Sequence, residues 1–335
     1  VSPVVITEAK TLHGVDLSDE EAERLNRAGR RLVGGPWWRD GDEERDRKVV
    51  ECVRGEDGWD IEAGNVIGVI GLGERALHIR PKIPLRHLMY LLGEAGVIPR
   101  IDKYPAEVQR DAEFVEVVAG WFINTVHQLV RLGLHRDYEE IEDETSAVQG
   151  QLMVPPTSLN LYAGRPYFTC RFDEYTFDNP PNRVISEALG RLQRIQGLDD
   201  KYRRRARGLL AEFPATGSMR HGDLRYRPDR NAMRYETPLE LARQIIDSTG
   251  RRPEPGQDTA MGFLIPTPTN VEKGLRNVLR QLLPEGMRLA KGAKRLPGGV
   301  KVEPDLVFGA NAAVGDIKYR IFDEKWVRNE FFQLT

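Results

Sequence analysis

Cysteine is scarce in this sequence, which has 2 cysteines among 335 residues and no Cys-x-x-Cys pair. A disulfide framework is therefore excluded, and the composition is typical of a chain that works in the reducing cytoplasm. Long apolar segments are also missing. Val117–Ile123 is among the longest apolar runs, whereas a membrane span needs roughly 20 such residues. The first ten residues lack a basic segment followed by an apolar one, so we expect neither a signal peptide nor a membrane partner.

Common nucleotide and catalytic motifs are missing as well. The sequence has no G-x-x-x-x-G-K-[ST] segment, no HExxH, no GxSxG and no zinc-type cluster of Cys and His. Gly71–Ala76 matches the dinucleotide pattern GxGxxA, but that pattern requires a helix to begin at its end. Here the residues that follow, Ala76–Arg80, alternate between apolar and polar side chains and lead to Pro81, which is typical of a strand. We therefore predict a hairpin turn at Gly71–Gly73 and no nucleotide site of this chain's own.

Charge of either sign is nearly balanced, with 49 basic and 51 acidic residues and a net charge of −2. The chain as a whole is thus not a strongly basic nucleic-acid-binding protein. Arg191–Leu210 is a local exception, with seven basic residues against Asp199 and Asp200. Its candidates for DNA contacts are Arg203, Arg204, Arg205 and Arg207. They form either a phosphate-facing surface or an ordinary solvated helix face.

The length predicts about two domains, and hydrophobic periodicity predicts a β-rich first part followed by a more helical part. The predicted strands are Val49–Val53, Trp59–Ile61, Asn65–Ile70, Ala76–Arg80, Tyr167–Phe172, Val300–Phe308 and Ala312–Phe322, with strand or extended structure at Gly150–Leu161. The predicted helices are Asp19–Arg31 (capped by Ser18), Leu85–Leu92, 106–132, Asn182–Leu210, Thr237–Thr249 and 270–283. We expect a turn at Thr11–Gly14 and an exposed loop at 137–150.

The last two predicted strands contain the pattern that indicates chemistry. Pro304-Asp305 lies in one apolar run and Asp316-Ile317-Lys318 in the next, with a short loop around Gly309–Asn311 between them. An antiparallel hairpin would bring Asp305 and Asp316 within reach of one metal ion. The two-residue period of a strand would place Lys318 on the same face as Asp316.

Two carboxylates and an ammonium suit metal-dependent hydrolysis of phosphodiesters. Asp305, Asp316 and the backbone carbonyl of Ile317 would hold Mg²⁺ (or Mn²⁺), because oxygen ligands favour these ions over zinc. Lys318 would orient the attacking water and stabilise developing charge, and Glu272 would complete the site. Since D-x-K is a short pattern that recurs in the chain, a surface hairpin with an Asp316–Lys318 ion pair is the alternative.

At these residues the chain resembles the PD-(D/E)xK nuclease superfamily, and more narrowly the McrC-like nuclease subunits of McrBC-type, modification-dependent (type IV) restriction systems. Further segments resemble that family in the same order along almost the whole chain. They are Gly68–Ile70 with Leu77–Ile83, Gly133–Tyr138, Gln149-Gly150, Phe172–Thr176 with Asn182-Arg183, Phe263–Ile265 with Glu272, and Phe332–Leu334. The last segment adds Gln333 to the candidate catalytic residues.

The resemblance implies an α+β multidomain protein. Residues 1–175 would form a β-rich and partly helical region that docks on an AAA+ GTPase hexamer of the McrB type. Residues 176–335 would form an α/β PD-(D/E)xK nuclease domain, which we expect to be cut short at its C-terminal end. Such a subunit stimulates GTP hydrolysis by its partner and cleaves modified (methylated) foreign double-stranded DNA. The alternatives are a non-catalytic adaptor of an AAA+ motor and a stand-alone repair nuclease that binds DNA through its Arg-rich helix.

Overall fold

The computed structural model describes residues 2–33, 49–100, 113–214, 216–230, 232–249, 262–292, 294–295, 301–302, 304–309 and 312–319. The described residues form a mixed α+β fold of strands and helices. The strands are β1 Val4–Thr7, β2 Thr11–Val15, β3 Val50–Arg54, β4 Trp59–Ala63, β5 Val66–Gly71, β6 Ala76–Arg80, β7 Asp137–Thr145, β8 Gln151–Leu152, β9 Phe168–Thr176, β10 Phe263–Pro266, β11 Leu289–Ala290, β12 Lys294–Arg295, β13 Lys301–Val302, β14 Leu306–Phe308 and β15 Ala313–Gly315. The helices are α1 Asp19–Val33, α2 Leu85–Glu94, α3 Phe114–Arg131, α4 Val154–Tyr162, α5 Pro180–Leu192, α6 Asp200–Glu212, α7 Glu236–Ser248 and α8 Pro268–Leu282.

A four-stranded sheet in the order β1-β6-β5-β10 lies at the centre of the fold. β5 and β6 pair as an antiparallel hairpin, which confirms the turn predicted at Gly71–Gly73. β10 joins the sheet from almost 200 residues further along the chain and pairs antiparallel with β5. Gly68 of β5 has a φ of +135°, and a Cβ atom there would lie 1.9 Å from the carbonyl oxygen of Phe263. Only glycine therefore allows the two strands to approach this closely.

The two faces of the central sheet pack against different layers, as the two-residue period of a strand dictates. Ile67, Val69 and Phe263 face a helical core. Helices α2, α3, α5 and α7 all contribute to that core. Ile70 and Leu77 face the opposite side, where α1, β3 and β4 cover the sheet. Both layers thus pack against β5 and β6, two strands that the apolar pattern predicted.

Helix α1 begins as its sequence predicted. The hydroxyl of Ser18 accepts a hydrogen bond from the amide of Glu21 at 3.2 Å, and the Glu21 carboxylate accepts one from the Ser18 amide at 2.9 Å. This reciprocal pair is a capping box, which satisfies amides that the first turn of a helix leaves without partners. Helices α2, α7 and α8 likewise form close to their predicted positions.

Several predictions of local structure are wrong. The turn expected at Thr11–Gly14 is part of β2. The loop expected at 137–150 contains β7, which pairs with β9 along nine residues from Asp137–Thr176 to Thr145–Phe168. Most of β7 is exposed, so its sequence lacks the alternation of apolar and polar residues that predicts a half-buried strand. Backbone pairing, and not burial, maintains this strand.

Two helix predictions also need correction. Residues Val154–Tyr162, expected to be extended, form α4, because Pro155 and Pro156 lie in its first turn, where proline is tolerated. The single helix expected at Asn182–Leu210 is divided into α5 and α6. Gly197 between them has a φ of +83°, and the Asp199 side chain caps α6 at the amide of Lys201. Helix α3 begins at Phe114, and the earlier part of its predicted range, 106–112, lies outside the described residues.

No helix in the described ranges combines the length and the apolar character that a membrane span requires.

Candidate functional site

The predicted closing hairpin is present. β14 and β15 pair antiparallel, with Leu306 opposite Gly315 and Phe308 opposite Ala313. Asp305 and Asp316 occupy the next positions beyond this register, at the open end of the hairpin. The strand predicted to run on to Phe322 ends at Gly315, because the amide of Ile317 donates to Oδ2 of Asp305 at 2.9 Å. A side chain thus takes the place of a backbone partner.

Asp305, Asp316 and Lys318 come together at this open end. Asp305 is buried, with 7% of its surface exposed. Burial raises the pKa of Asp305, and the neighbouring Asp316 carboxyl group raises it further. The hydrogen bond from the Ile317 amide opposes this shift. Burial also opposes ionisation of Asp316, but Lys318 keeps its pKa below the ordinary value. The ammonium nitrogen of Lys318 lies 2.6 Å from Oδ2 of Asp316. The Asp316–Lys318 ion pair, which the alternative interpretation of a surface hairpin expected, is therefore present, but it lies within a cluster of carboxylates.

Helix α8 brings Glu272 to the same group. Burial, and then the charge of Asp305, raise the pKa of Glu272 to about 7. Gly274 allows α8 to lie close to α2, because a Cβ atom at this position would be 2.1 Å from the carbonyl oxygen of Leu91. The close crossing of two helices thus determines where Glu272 lies.

Two cationic side chains near the carboxylates were not among the residues predicted from the sequence. Arg276 follows Glu272 by one helical turn, and its Nε donates to the carbonyl oxygen of Asp305 at 2.9 Å. Its Nη2 is buried and has no hydrogen-bond partner among the described residues. Lys291 Nζ lies 3.8 Å from Oε2 of Glu272. The i, i+4 spacing from Glu272 would have identified Arg276. Lys291 directly follows β11, and no sequence pattern marks it.

The donor set suits a partly hydrated divalent ion. In the part of the chain that the structure describes, no three side chains of His, Cys, Asp or Glu form a group that could hold a metal ion. Mg²⁺ does not require such a cage, since it commonly binds through one or two carboxylates and retains several waters. Asp305 and Asp316 provide two carboxylates, and their crowding with Glu272 is the arrangement that a cation would relieve.

The remaining predicted residues are placed elsewhere. Gln333 lies outside the described residues. The four arginines are on α6, which packs on α3 and α5. Arg203 forms an ion pair with Asp200, and Arg205 donates to the side chain of Asn124 at 2.7 Å. Arg204, Arg205 and Arg207 are exposed, so these three form the basic surface.

A second buried polar cluster surrounds Asn182 and Arg183. Asn182 donates to the carbonyl oxygens of His135 and Phe177 at 3.0 and 2.9 Å and accepts from the hydroxyl of Tyr235 at 2.8 Å. Arg183 donates two hydrogen bonds to Asp223, at 2.9 and 3.1 Å. This cluster joins the segment after α3 to the start of α5. Two of the segments that carried the family resemblance are thus in contact.

Comparison with known proteins places the chain in a family. The model of the family described as "McrBC 5-methylcytosine restriction system component" matches residues 61–335. This match covers most of the chain, and the protein belongs to that family. The predicted relationship to McrBC-type restriction systems is confirmed.

Two solved structures resemble the chain. The cryo-EM structure of the Thermococcus gammatolerans McrBC complex has a chain that is 18% identical, with a TM-score of 0.56 over 84% of this chain and 89% of that one. A refined half-complex from a tetradecameric assembly of T. gammatolerans McrB AAA+ hexamers with bound McrC has one that is 20% identical, with a TM-score of 0.65 over 99% of this chain and 84% of that one. At these identities the likeness concerns the mixed α+β fold. No curated protein sequence matches the chain.

Proposed function

We propose that this chain is the nuclease subunit of an McrBC-type restriction system and hydrolyses phosphodiester bonds of modified (methylated) foreign DNA with Mg²⁺ or Mn²⁺. The observation that carries the proposal is the meeting of Asp305, Asp316 and Lys318 with Glu272 at the open end of one hairpin. Membership of a restriction-system family supports it. A PD-(D/E)xK nuclease domain is part of the same proposal.

The side chains have separate roles in this proposal. Asp305, Asp316 and the carbonyl of Ile317 would hold the metal, with the Glu272 carboxyl group beside them. A bound Mg²⁺ neutralises phosphate charge and lowers the pKa of a coordinated water. Lys318, held beside Asp316, would orient the attacking water and stabilise charge that develops on the phosphate. Arg276 and Lys291 add positive charge on the side of Glu272.

We further propose a partnership with an AAA+ GTPase hexamer of the McrB type, because the T. gammatolerans assembly contains McrB AAA+ hexamers with bound McrC. The contact would lie within residues 1–175, with nuclease chemistry in 176–335 and the complex in the cytoplasm. The exposed apolar surface of α4 supports this assignment, because Leu159 is 71% exposed and Tyr162 91%. Deletion of residues 1–95 would remove β5 and with it the partner strand of β10, so substitutions on this surface are the cleaner test.

The decisive experiment is plasmid cleavage by the full chain with Mg²⁺, with and without its AAA+ partner and GTP. We expect cleavage only with the partner and GTP. Asp305→Ala and Lys318→Ala should each reduce it by about a thousandfold or more, because they remove a metal ligand and the charge at the attacking water. Folding, checked by circular dichroism, and stimulated GTP hydrolysis should be retained.

Other outcomes decide between the alternatives. Cleavage by the chain alone would indicate a stand-alone repair nuclease that uses Arg204, Arg205 and Arg207. Stimulated GTP hydrolysis without cleavage would indicate a non-catalytic adaptor. Retained cleavage in Asp305→Ala would contradict the assignment of the active site to this hairpin. A separate measurement tests the metal: Mg²⁺ should raise the unfolding temperature of the wild type and leave that of Asp316→Ala unchanged.

A further inference from the structure

One end of the central sheet collects polar residues from all four of its strands. β1 and β6 run parallel, and β5 and β10 run in the opposite sense to β6 and β5, respectively. The residues after β1, β6 and β10 and before β5 therefore meet at the same edge. They are Glu8, Lys82, Thr267 and Asn65, and together with Tyr319 we call them the sheet-end cluster.

Glu8 is the centre of the sheet-end cluster. Only 1% of its surface is exposed, and a buried carboxylate is stable only when donors surround it. Oε1 accepts hydrogen bonds from the amide of Lys82 at 3.0 Å and from the hydroxyl of Tyr319. Oε2 accepts one from the hydroxyl of Thr267. Three distant parts of the chain therefore share one acceptor group.

Lys82 holds the ring of Tyr319. Its Nζ lies 4.1 Å from the centre of that ring and donates to Oδ1 of Asn65 at 3.1 Å. Tyr319 is thus bound both through its hydroxyl and through the face of its ring. Burial, and then the charge of Glu8, raise the pKa of Tyr319, so its hydroxyl remains a donor.

Both elements of the candidate active site leave directly from the sheet-end cluster. Lys318 precedes Tyr319 in the chain. Thr267 precedes α8, and its carbonyl oxygen accepts the amide of Val271 at 2.8 Å, next to Glu272. A shift of Tyr319 or Thr267 would move the site side chains with it.

We propose that Glu8 and Tyr319 are positioning residues, whose hydrogen bond fixes the segment of Lys318 relative to the α8 helix that carries Glu272. The first strand of the chain would then help to shape a site that lies about 300 residues away in sequence. This inference rests on the proposed nuclease function and assigns residues that control the geometry of its site.

The test compares Tyr319→Phe and Glu8→Gln with the wild type, each as the full chain with its AAA+ partner, GTP and Mg²⁺. Small displacements of catalytic groups slow chemistry by about 10- to 100-fold, so we expect kcat for DNA cleavage to fall by that factor. The KM for DNA should change by less than about twofold, because neither residue binds substrate. The double variant should be no slower than the worse single variant, since both changes break the same link.

A matched control separates positioning from general stability. Tyr235→Phe also removes a buried, hydrogen-bonded hydroxyl, but from the cluster around Asn182, and should leave kcat unchanged. An unchanged kcat in Tyr319→Phe, or additive losses in the double variant, would overturn the inference. If Glu8→Gln does not fold, the comparison of kcat between Tyr319→Phe and Tyr235→Phe decides the question. Loss of cleavage in Asp316→Ala with full activity in Tyr319→Phe would refute only this inference, whereas retained cleavage in Asp316→Ala would refute the proposed function.

Discussion

The chain has two buried charged clusters that differ in how their charges are satisfied. Around Arg183, which is 2% exposed, every guanidinium nitrogen donates to Asp223 or Asp178. At the hairpin, Glu272, Asp305 and Asp316 crowd three acids together, and two of them have raised pKa values. The first cluster is complete in itself. In the second, the carboxylates crowd one another even though Lys318 and Lys291 lie beside them.

The difference separates a structural cluster from a candidate functional one. A buried ion pair with all hydrogen bonds made holds elements in place and leaves nothing for a ligand to do. Crowded carboxylates cost free energy unless something else binds them, and such perturbed groups mark functional sites. Both clusters contain segments that resemble the McrC family, so resemblance alone does not distinguish them.

Removing Arg183 should have the largest effect on stability. Arg183→Met leaves Asp223 and Asp178 without their buried arginine partner, and breaking a buried pair in this way costs about 3–5 kcal/mol. Urea unfolding of the isolated chain measures the loss.

Glu272→Gln is the matched change in the other cluster. It removes a negative charge beside Asp305, so the unfolding free energy in EDTA should stay the same or rise. A loss as large as that of Arg183→Met would mean that the carboxylate cluster is structural.

The acid side of the stability profile should reflect Asp223. Burial disfavours its charged form, but Arg183 holds its pKa below the unfolded value near 3.9. Its contribution to stability is thus complete above the unfolded pKa and is lost as pH falls through the lower, folded pKa. Asp223→Asn should cost about 2–3 kcal/mol at pH 7, and the difference from wild type should shrink below about pH 4. Unfolding at several pH values tests this, and a constant difference would contradict it.

The exposed arginines of α6 should show the smallest effect, and only on DNA binding. Arg204→Ala and Arg207→Ala should each lower the salt slope of binding by about one, as expected for one lost phosphate contact, with no change in stability. Arg203→Ala is the control, because its guanidinium is paired with Asp200. Fluorescence anisotropy on duplex DNA with the partner-loaded complex measures the slope. An unchanged slope would return α6 to the solvated-face interpretation.

Sequence patterns were informative where the deciding forces are local. The apolar runs of β5 and β6, the capping box at Ser18 and the hairpin of Asp305 and Asp316 were all predictable. β7 was not, because an exposed strand carries no apolar alternation. Lys291 was also missed, since its place beside Glu272 depends on how α8 packs against the strands after it, whereas the i, i+4 spacing from Glu272 could have indicated Arg276.

The sequence by itself determined the family, the central apolar strands and the candidate residues at the hairpin, because short-range periodicity and motif spacing encode them. Only the tertiary structure decided that β10 completes the central sheet and that Glu8 accepts a hydrogen bond from Tyr319. It also decided that Arg183 is satisfied while Asp305 lies among other acids. These outcomes depend on contacts between residues far apart in the chain, where burial and the supply of hydrogen-bond donors, and not local pattern, set the free energy of each charge.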